Sequence, residues 1–221
     1  RNHPEHQDEA GAAPPAGAEW PAQISALRLE GIAQGGDAVG RYRGRVVFVQ
    51  GALPGELVSV GLPTRQSSHA RGTAVELLEP SPERIAPACP LFGRCGGCHW
   101  QYAAYPAQLD WKHTIVMDQL RHLGRVESPP VAAPLGMPHP WAYRSTAELH
   151  ISRSGQAGFF AAQSHSVVPV GHCPLLVPAL CDLLPPLQEL LPALDPADRP
   201  AQVTLRWSWT ESLALAVLHG G

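Results

Sequence analysis

The sequence predicts an α+β protein that is mostly β, in which a five-stranded, OB-like barrel precedes a mixed α/β region. Between residues 23 and 85, short apolar runs alternate with Gly- and Pro-rich turns, as in small antiparallel barrels. Beyond residue 85, one helical segment lies among several strand-like segments. No strand in the 221 residues is followed by a glycine-rich loop and a helix, so a doubly wound nucleotide-binding unit is not predicted.

Five segments account for the predicted barrel. They are Ile24–Glu30, Ala38–Tyr42, Arg45–Val49, Leu57–Val60 and Thr73–Leu78. Arg43-Gly44 joins the second segment to the third, and a polar loop joins the last two. The glycines between residues 31 and 40 do not predict a dinucleotide loop, because no helical pattern follows them.

The middle of the barrel is basic. Between positions 41 and 71 there are five arginines and one acid, Glu56, which gives a local formal charge of +4. The arginines are Arg41, Arg43, Arg45, Arg65 and Arg71. Tyr42 and Phe48 lie between them, and guanidinium groups beside aromatic rings suit phosphate contacts and base stacking. The alternative is a solvated strand face around a core phenylalanine, since the whole chain has a net charge of −3.

Composition excludes several classes of protein. Residues 1–22 are polar and rich in Pro, Ala and Gly, so we expect a disordered tail and no secretory signal. No segment reaches the ~18 consecutive apolar residues of a membrane helix. Three of the five cysteines are close together, which favours a metal site in a reducing, cytoplasmic environment over disulfides. The chain begins at Arg1 and stops just after an apolar run, so we expect a piece of a longer protein.

Cys89, Cys95 and Cys98 lie within ten residues, and two glycines separate the last pair. Three thiolates supply most of a tetrahedral metal site, so a fourth ligand must come from another segment. Because glycine tolerates a positive φ and has no Cβ, we expect this turn to fold closely around a soft metal. The alternative is three unrelated, reduced cysteines that behave as small apolar side chains.

The fourth ligand is open on residue pattern alone. His99 and His113 are conceivable ligands of a zinc site, although polar surface roles suit them better. Cys173 and Cys181 are the remaining thiols. Cys181 lies in a leucine-rich stretch interrupted by prolines at 178, 185, 186 and 192, where a buried structural thiol is expected.

Helical and strand patterns continue to the end of the chain. Pro106 and Gly124 delimit a predicted helix whose apolar positions, Leu109, Val116, Leu120 and Leu123, share one face. Strand patterns cover Thr146–Ile151, Ala157–Phe160 and Ser166–Val170. A hairpin is predicted from Val203–Trp209 and Leu213–Val217, in which Trp207 and Trp209 fit core packing better than base stacking.

Several of these stretches together resemble the RNA uracil-5-methyltransferases, in the branch that acts on 23S ribosomal RNA. They are Phe48–Glu56, Pro80–Arg84, Cys89–Cys98 with Gln101, Tyr105–Lys112 and Gly158–Cys173. The resemblance covers roughly residues 24 to 218. Its most specific parts are the cysteine spacing and the Leu53-Pro-Gly-Glu56 loop, which favour the rRNA branch over the bacterial tRNA branch.

The resemblance implies a fold, a cofactor and a partner. Residues 23–85 would be a TRAM domain that binds 23S rRNA, and residues 86–221 would be a central domain carrying a [4Fe-4S] cluster. The implied cluster ligands are Cys89, Cys95, Cys98 and Cys173. The expected RNA contacts are Arg41, Arg43, Arg45, Arg144 and His165.

The family's chemistry is implied as well. A cysteine thiolate adds to uracil C6, S-adenosylmethionine supplies the methyl group, and a carboxylate removes a proton. We expect those groups outside the 221 residues, so this chain should be an inactive portion of the enzyme. We also expect it to be a monomer. The alternatives are a stand-alone RNA-binding iron–sulfur or zinc adaptor and a redox carrier, although no flavin or nicotinamide signature supports the latter.

Overall fold

The computed structural model describes residues 19–220, which form two compact units. The first unit comprises the chain up to Arg84 together with Asp110–Ala133. The second comprises Ile85–Leu109 and the chain from Pro134 onwards. Residues 1–18, most of the predicted tail, lie outside the described residues.

The first unit contains the predicted five-stranded barrel. Its strands are β1 (Gln23–Ile32), β2 (Ala38–Tyr42), β3 (Arg45–Gln50), β4 (Leu57–Arg65) and β5 (His69–Glu79). They close in the order β1-β2-β3-β5-β4, which confirms the OB-like barrel. The expectation that every pair is antiparallel is wrong for β3 and β5, which run parallel. The predicted polar loop is also shorter than expected, because β4 and β5 continue through it and pair Thr64 with Arg71.

Alternating residues fill the barrel interior. Leu27, Leu29, Val47, Val49, Val58 and Val60 are all buried. Trp20 packs against this cluster, and its indole Nε1 donates a hydrogen bond to the Gln66 carbonyl oxygen over 2.6 Å. The barrel therefore includes Trp20, which the predicted boundary left in the tail. Arg43 and Gly44 have φ values of 48° and 76°, as the two central residues of a type I′ hairpin turn require.

A buried ion pair joins two of the stretches on which the family resemblance depends. Glu56 is fully buried, and its carboxylate accepts hydrogen bonds from Arg84 Nε over 2.5 Å and Arg84 Nη2 over 2.8 Å. The backbone N–H groups of Leu53 and Ser81 also donate to this carboxylate, over 2.8 and 3.3 Å. The single acid of the basic segment is thus neutralised from outside that segment.

The second unit contains an antiparallel sheet. Its strands are β6 (Thr146–Ile151), β7 (Ala157–Phe160), β8 (Val167–Pro169), β9 (Gln202–Ser208) and β10 (Leu213–His219), in the order β10-β9-β6-β7-β8. The predicted strands and the terminal hairpin are therefore present. Leu149, Leu180, Leu184, Leu191 and Leu205 lie in its core. Trp207 packs against that core as expected, whereas Trp209 is exposed.

In the described part of the chain, three helices accompany the sheets: α1 (Tyr105–His122), α2 (Pro178–Cys181) and α3 (Leu184–Ala193). Proline in the first turn of α2 and of α3 suits a helix start, because that position needs no hydrogen-bonded N–H. In α1, the predicted helix, Ala107 is the buried residue and Val116 is exposed; Leu123, the residue after the helix end, is exposed as well. Within residues 19–220, no helix is both long enough and apolar enough to cross a membrane.

Candidate metal centre

Four cysteine side chains line one pocket of the second unit. They are Cys89, Cys95, Cys98 and Cys173, and we call this site the cysteine pocket. Its volume is about 380 Å³, including the opening to solvent. Leu91, Phe92, Phe159 and Val170 provide apolar walls, and the polar lining residues are Gln101, Arg144 and His172. The lining contains no carboxylate, so its donors are soft sulfurs in a largely apolar setting.

The backbone of the cysteine turn is held against the second sheet. The N–H of Gly96 donates to the Phe160 carbonyl oxygen over 2.9 Å, and Cys95 forms a bridge with Ala161. A Cβ on Gly96 would lie 3.0 Å from that same oxygen, so glycine permits the close approach. The expectation of a positive φ at Gly96 or Gly97 is wrong; within this turn the positive φ, 84°, belongs to Gly93.

Gln101 connects two of the cysteines. Its side-chain Oε1 accepts the Cys89 backbone N–H over 3.1 Å, and its Nε2 donates to Cys98 Sγ over 3.2 Å. The residue is buried, so both ends of the amide are matched inside the protein. Sequence analysis noted Gln101 as part of the family motif but gave it no role.

Arg144 lies between the two cysteine-bearing segments. Its Nη2 donates to the Gly97 carbonyl oxygen over 3.1 Å, inside the turn that carries Cys95 and Cys98. Its backbone N–H donates to Leu175 O over 2.8 Å, and its backbone oxygen accepts the Val177 N–H over 3.0 Å. The segment just after Cys173 is therefore paired with the same residue. The sequence predicts an RNA contact at Arg144.

Burial raises the pKa values of the Cys98 and Cys173 thiols, because the charged thiolate loses hydration. At Cys98 the Gln101 hydrogen bond is the largest opposing influence. At Cys173 the opposing groups are the backbone N–H groups of Leu175 and Leu176. The positive charge of Arg144 favours the thiolate at both cysteines, and each thiolate is disfavoured by charge on other thiols of the pocket.

The remaining candidate ligands lie elsewhere. Cys181 Sγ accepts the backbone N–H of Cys173 over 3.4 Å and packs against the core of the second unit, outside the pocket lining. His99 is exposed, and His113 belongs to the first unit. Within residues 19–220, no three His, Cys, Asp or Glu side chains are arranged to hold a single metal ion.

The predicted RNA contacts of the barrel differ in their surroundings. Arg41 and Arg43 are exposed beside the β2–β3 turn, where the Arg43 guanidinium lies 5.3 Å from the centre of the Tyr42 ring. Arg45 instead stacks over Trp20, with 3.8 Å between its guanidinium carbon and the ring centre. Arg71 pairs with Asp37 over 2.9 Å, so its positive charge is offset within the barrel.

His165 belongs to an aromatic group on the second sheet. It is exposed, and its ring meets the Phe160 ring edge-on at 5.2 Å. Phe160 in turn stacks on His150 at 3.7 Å, with 8° between the ring planes. The sequence patterns gave no role to His150. It pairs with Gly158 of β7, two positions before Phe160, so the His150 and Phe160 side chains share one face of the sheet.

The chain is similar to named RNA methyltransferases over most of its own length, although no protein-family model matches it. It is 37% identical over 182 residues to the 23S rRNA (uracil(1939)-C(5))-methyltransferase RlmD of Alkalilimnicola ehrlichii, covering 80% of this chain and 41% of that protein. It is 37% identical over 188 residues to the enzyme of the same name from Methylococcus capsulatus, covering 83% and 42%. An uncharacterized RNA methyltransferase of Gloeobacter violaceus is 36% identical, with coverage of 79% and 39%.

A solved structure shares the fold. It is Pyrococcus abyssi tRNA (uracil-54, C5)-methyltransferase in complex with S-adenosyl-L-homocysteine, with a TM-score of 0.55 and 18% identity. The match covers 86% of this chain and 44% of that one. These comparisons confirm the resemblance to RNA uracil-5-methyltransferases, and the chain spans about two fifths of the length of the curated relatives it matches.

Proposed function

We propose that this chain is the RNA-binding and cluster-bearing portion of an S-adenosylmethionine-dependent RNA uracil-5-methyltransferase that acts on 23S rRNA. The observation that carries the proposal is the meeting of Cys89, Cys95, Cys98 and Cys173 in one pocket. Relatives that are 37% identical over about 80% of this chain are named as 23S rRNA uracil methyltransferases, which gives the substrate class.

The proposed occupant of the cysteine pocket is a [4Fe-4S] cluster held by its four thiolates. Four cysteine ligands, apolar walls and the lack of a carboxylate fit such a cluster. Thiolates are the ligands that iron–sulfur clusters use, and Cys89, Cys95, Cys98 and Cys173 would hold the cluster. A bound cluster would supply iron–thiolate bonds that tie the cysteine turn to Cys173.

Anaerobic purification tests the occupant directly. We expect brown protein that contains iron and acid-labile sulfide in equal amounts. Cys173→Ser should abolish the cluster, and Cys181→Ser should leave it in place, because the Cys181 thiol lies outside the pocket lining. Stoichiometric zinc without sulfide, or dependence on Cys181 instead of Cys173, would contradict the assignment.

The barrel is proposed to contact the phosphate backbone of the RNA through Arg41 and Arg43. Both are exposed, and each displaced counterion contributes about 0.7–0.9 to the slope of log affinity against log salt. Replacing both by Ala should therefore flatten the slope by about 1.5 for a fragment of 23S rRNA. The salt slope of Arg45→Ala should be measured separately, because the Arg45 guanidinium stacks on the Trp20 ring. An unchanged slope in the double variant would assign Arg41 and Arg43 to a solvated strand face.

His165 is proposed as a base contact of the second unit. Its exposed ring stands on Phe160, which His150 covers from another side, so the group presents a preordered aromatic edge. Stacking of a base on such a ring is worth about 1–3 kcal/mol. His165→Ala should weaken RNA binding without changing the slope of log affinity against log salt. If the same loss of affinity came with a smaller slope, His165 would instead contact a phosphate.

We also propose that the methyl donor binds outside these residues. Within residues 19–220, β3 and β5 are the single pair of strands that run parallel, and no strand–loop–helix unit for a nucleotide-like ligand is present. The purified chain should therefore incorporate no label from S-adenosylmethionine into unmodified 23S rRNA. Methyl transfer by this chain alone would overturn that part of the proposal.

A further inference from the structure

We infer that Arg144 is a positioning residue of the cysteine pocket, which joins the Cys95–Cys98 turn to the Cys173 segment, and that it is not a phosphate contact. The inference rests on the proposed function, since it concerns how the chain brings its four thiols together. Arg144 lines the pocket and is half-buried.

The hydrogen bonds of Arg144 extend to both sides of the site. Its side chain reaches Gly97 O over 3.1 Å, across 47 positions in sequence. Its backbone forms a parallel bridge with Leu176, three residues after Cys173. Arg144 therefore connects the Cys95–Cys98 turn to the segment that follows Cys173. Such contacts by non-ligand residues orient metal ligands and are commonly worth 10–100-fold in metal affinity.

The chemistry of arginine suits this position. A site of four thiolates accumulates negative charge in a pocket with apolar walls, and the positively charged Arg144 side chain lines that same pocket. Its planar fork can donate to a carbonyl while keeping its charge directed at the sulfurs. Lysine would keep the charge but lose that geometry.

The test uses the full chain, loaded anaerobically with iron and sulfide, and measures the loss of visible absorbance under a chelator and air. Arg144→Met removes one charge-assisted hydrogen bond, and we expect cluster loss to become roughly tenfold faster. Arg144→Lys should recover only part of that change. The matched control is Arg94→Met, which removes the same charge from an exposed position next to Cys95; its rate should equal that of the unmodified chain.

RNA binding separates the two roles of Arg144. Arg144→Met should retain the affinity of the loaded chain for the rRNA fragment and its salt slope. If the variant instead loses affinity, with a slope smaller by about 0.7–0.9 and normal cluster lifetime, the inference is wrong and Arg144 contacts phosphate. Circular dichroism and unfolding of the apo chains provide the folding check. If Arg144→Met fails to fold, Arg144→Lys decides, since a normal cluster lifetime in that variant would refute the role of the fork.

The outcome is distinguishable from failure of the proposed function. If the unmodified chain takes up no iron and sulfide, the proposed cluster fails. If the unmodified chain takes up the cluster and loses it at the same rate as Arg144→Met, the cluster assignment stands and the inference about Arg144 is refuted.

Discussion

The ion pair between Glu56 and Arg84 should be among the strongest side-chain contributions to barrel stability. The Glu56 carboxylate is fully buried, while the Arg84 side chain is 23% exposed. Replacing Arg84 by Met leaves a buried carboxylate with two backbone N–H donors, those of Leu53 and Ser81, and without its counter-charge. Breaking a buried pair from one side costs about 3–5 kcal/mol. That is a large share of the ~5–15 kcal/mol that stabilises a typical domain.

The control is an ion pair that has the same nitrogen–oxygen distance but is exposed to solvent. Arg28 and Glu79 are 2.5 Å apart, as are Arg84 and Glu56, but their side chains are 49% and 58% exposed. Exposed pairs contribute about 0–1 kcal/mol because water screens them and both side chains lose entropy. Arg28→Met should therefore change the free energy of unfolding by less than about 1 kcal/mol.

Hydrogen exchange of peptides from β2 to β5, measured with increasing urea, reports the opening of the barrel separately from the second unit. We expect Arg84→Met to lower the free energy of barrel opening several times more than Arg28→Met lowers it. Equal changes in the two variants would refute the reasoning, because distance alone would then determine the contribution of the pair.

Three further outcomes follow from the described contacts. Gly72→Ala should destabilise the barrel by more than about 1 kcal/mol, since its Cβ would lie 2.4 Å from a backbone oxygen of β4. Gln101→Leu should speed cluster loss, because it leaves the Cys89 N–H without its acceptor. Alkylation of Cys98 and Cys173 in the apo chain should require a higher pH than in urea, since burial raises both pKa values. The raised pKa values stabilise the folded apo chain below the unfolded thiol pKa, and that contribution is lost as pH rises through the folded values.

Each of these outcomes has a matched comparison. Gly31→Ala should be tolerated, because nothing lies within 4 Å of its added Cβ, and equal costs at the two glycines would exclude the steric cause. Gln156→Leu changes an exposed amide of the same unit, and cluster loss as fast as in Gln101→Leu would mean that burial of the amide is irrelevant. Alkylation with the same pH profile in buffer and in urea would contradict the pKa shifts.

The sequence predicted the barrel where apolar residues alternate and missed it where they do not. β4 continues past Gly61 into the exposed residues Pro63–Arg65, and the buried residues at the start of β5 are the small Ala70 and Gly72. The pairing of Thr64 with Arg71 therefore left little apolar alternation to detect. The parallel closure of β3 on β5 pairs residues that are 23 positions apart in sequence, a register set by the barrel as a whole. Helices α2 and α3 were missed for another reason. Of the prolines that suggested interruption, Pro178, Pro185 and Pro186 occupy first turns, where proline suits a helix, and Pro192 lies in the last turn of α3.

The cysteine pocket shows where a linear motif stops being informative. The spacing of Cys89, Cys95 and Cys98 predicts that three thiols meet, since a tight turn cannot separate them. The choice between Cys173 and Cys181 depends on which thiol the pairing of residues 175–177 with Arg144 presents to the turn. That pairing is made by backbone N–H and C=O groups, so side-chain identities in the sequence do not predict it. The Arg144 side chain likewise donates to a backbone carbonyl oxygen, that of Gly97. Such an acceptor is not visible in the sequence, where an arginine next to a predicted strand suggests a phosphate contact. Only the fold shows that Arg144 lies beside the thiols.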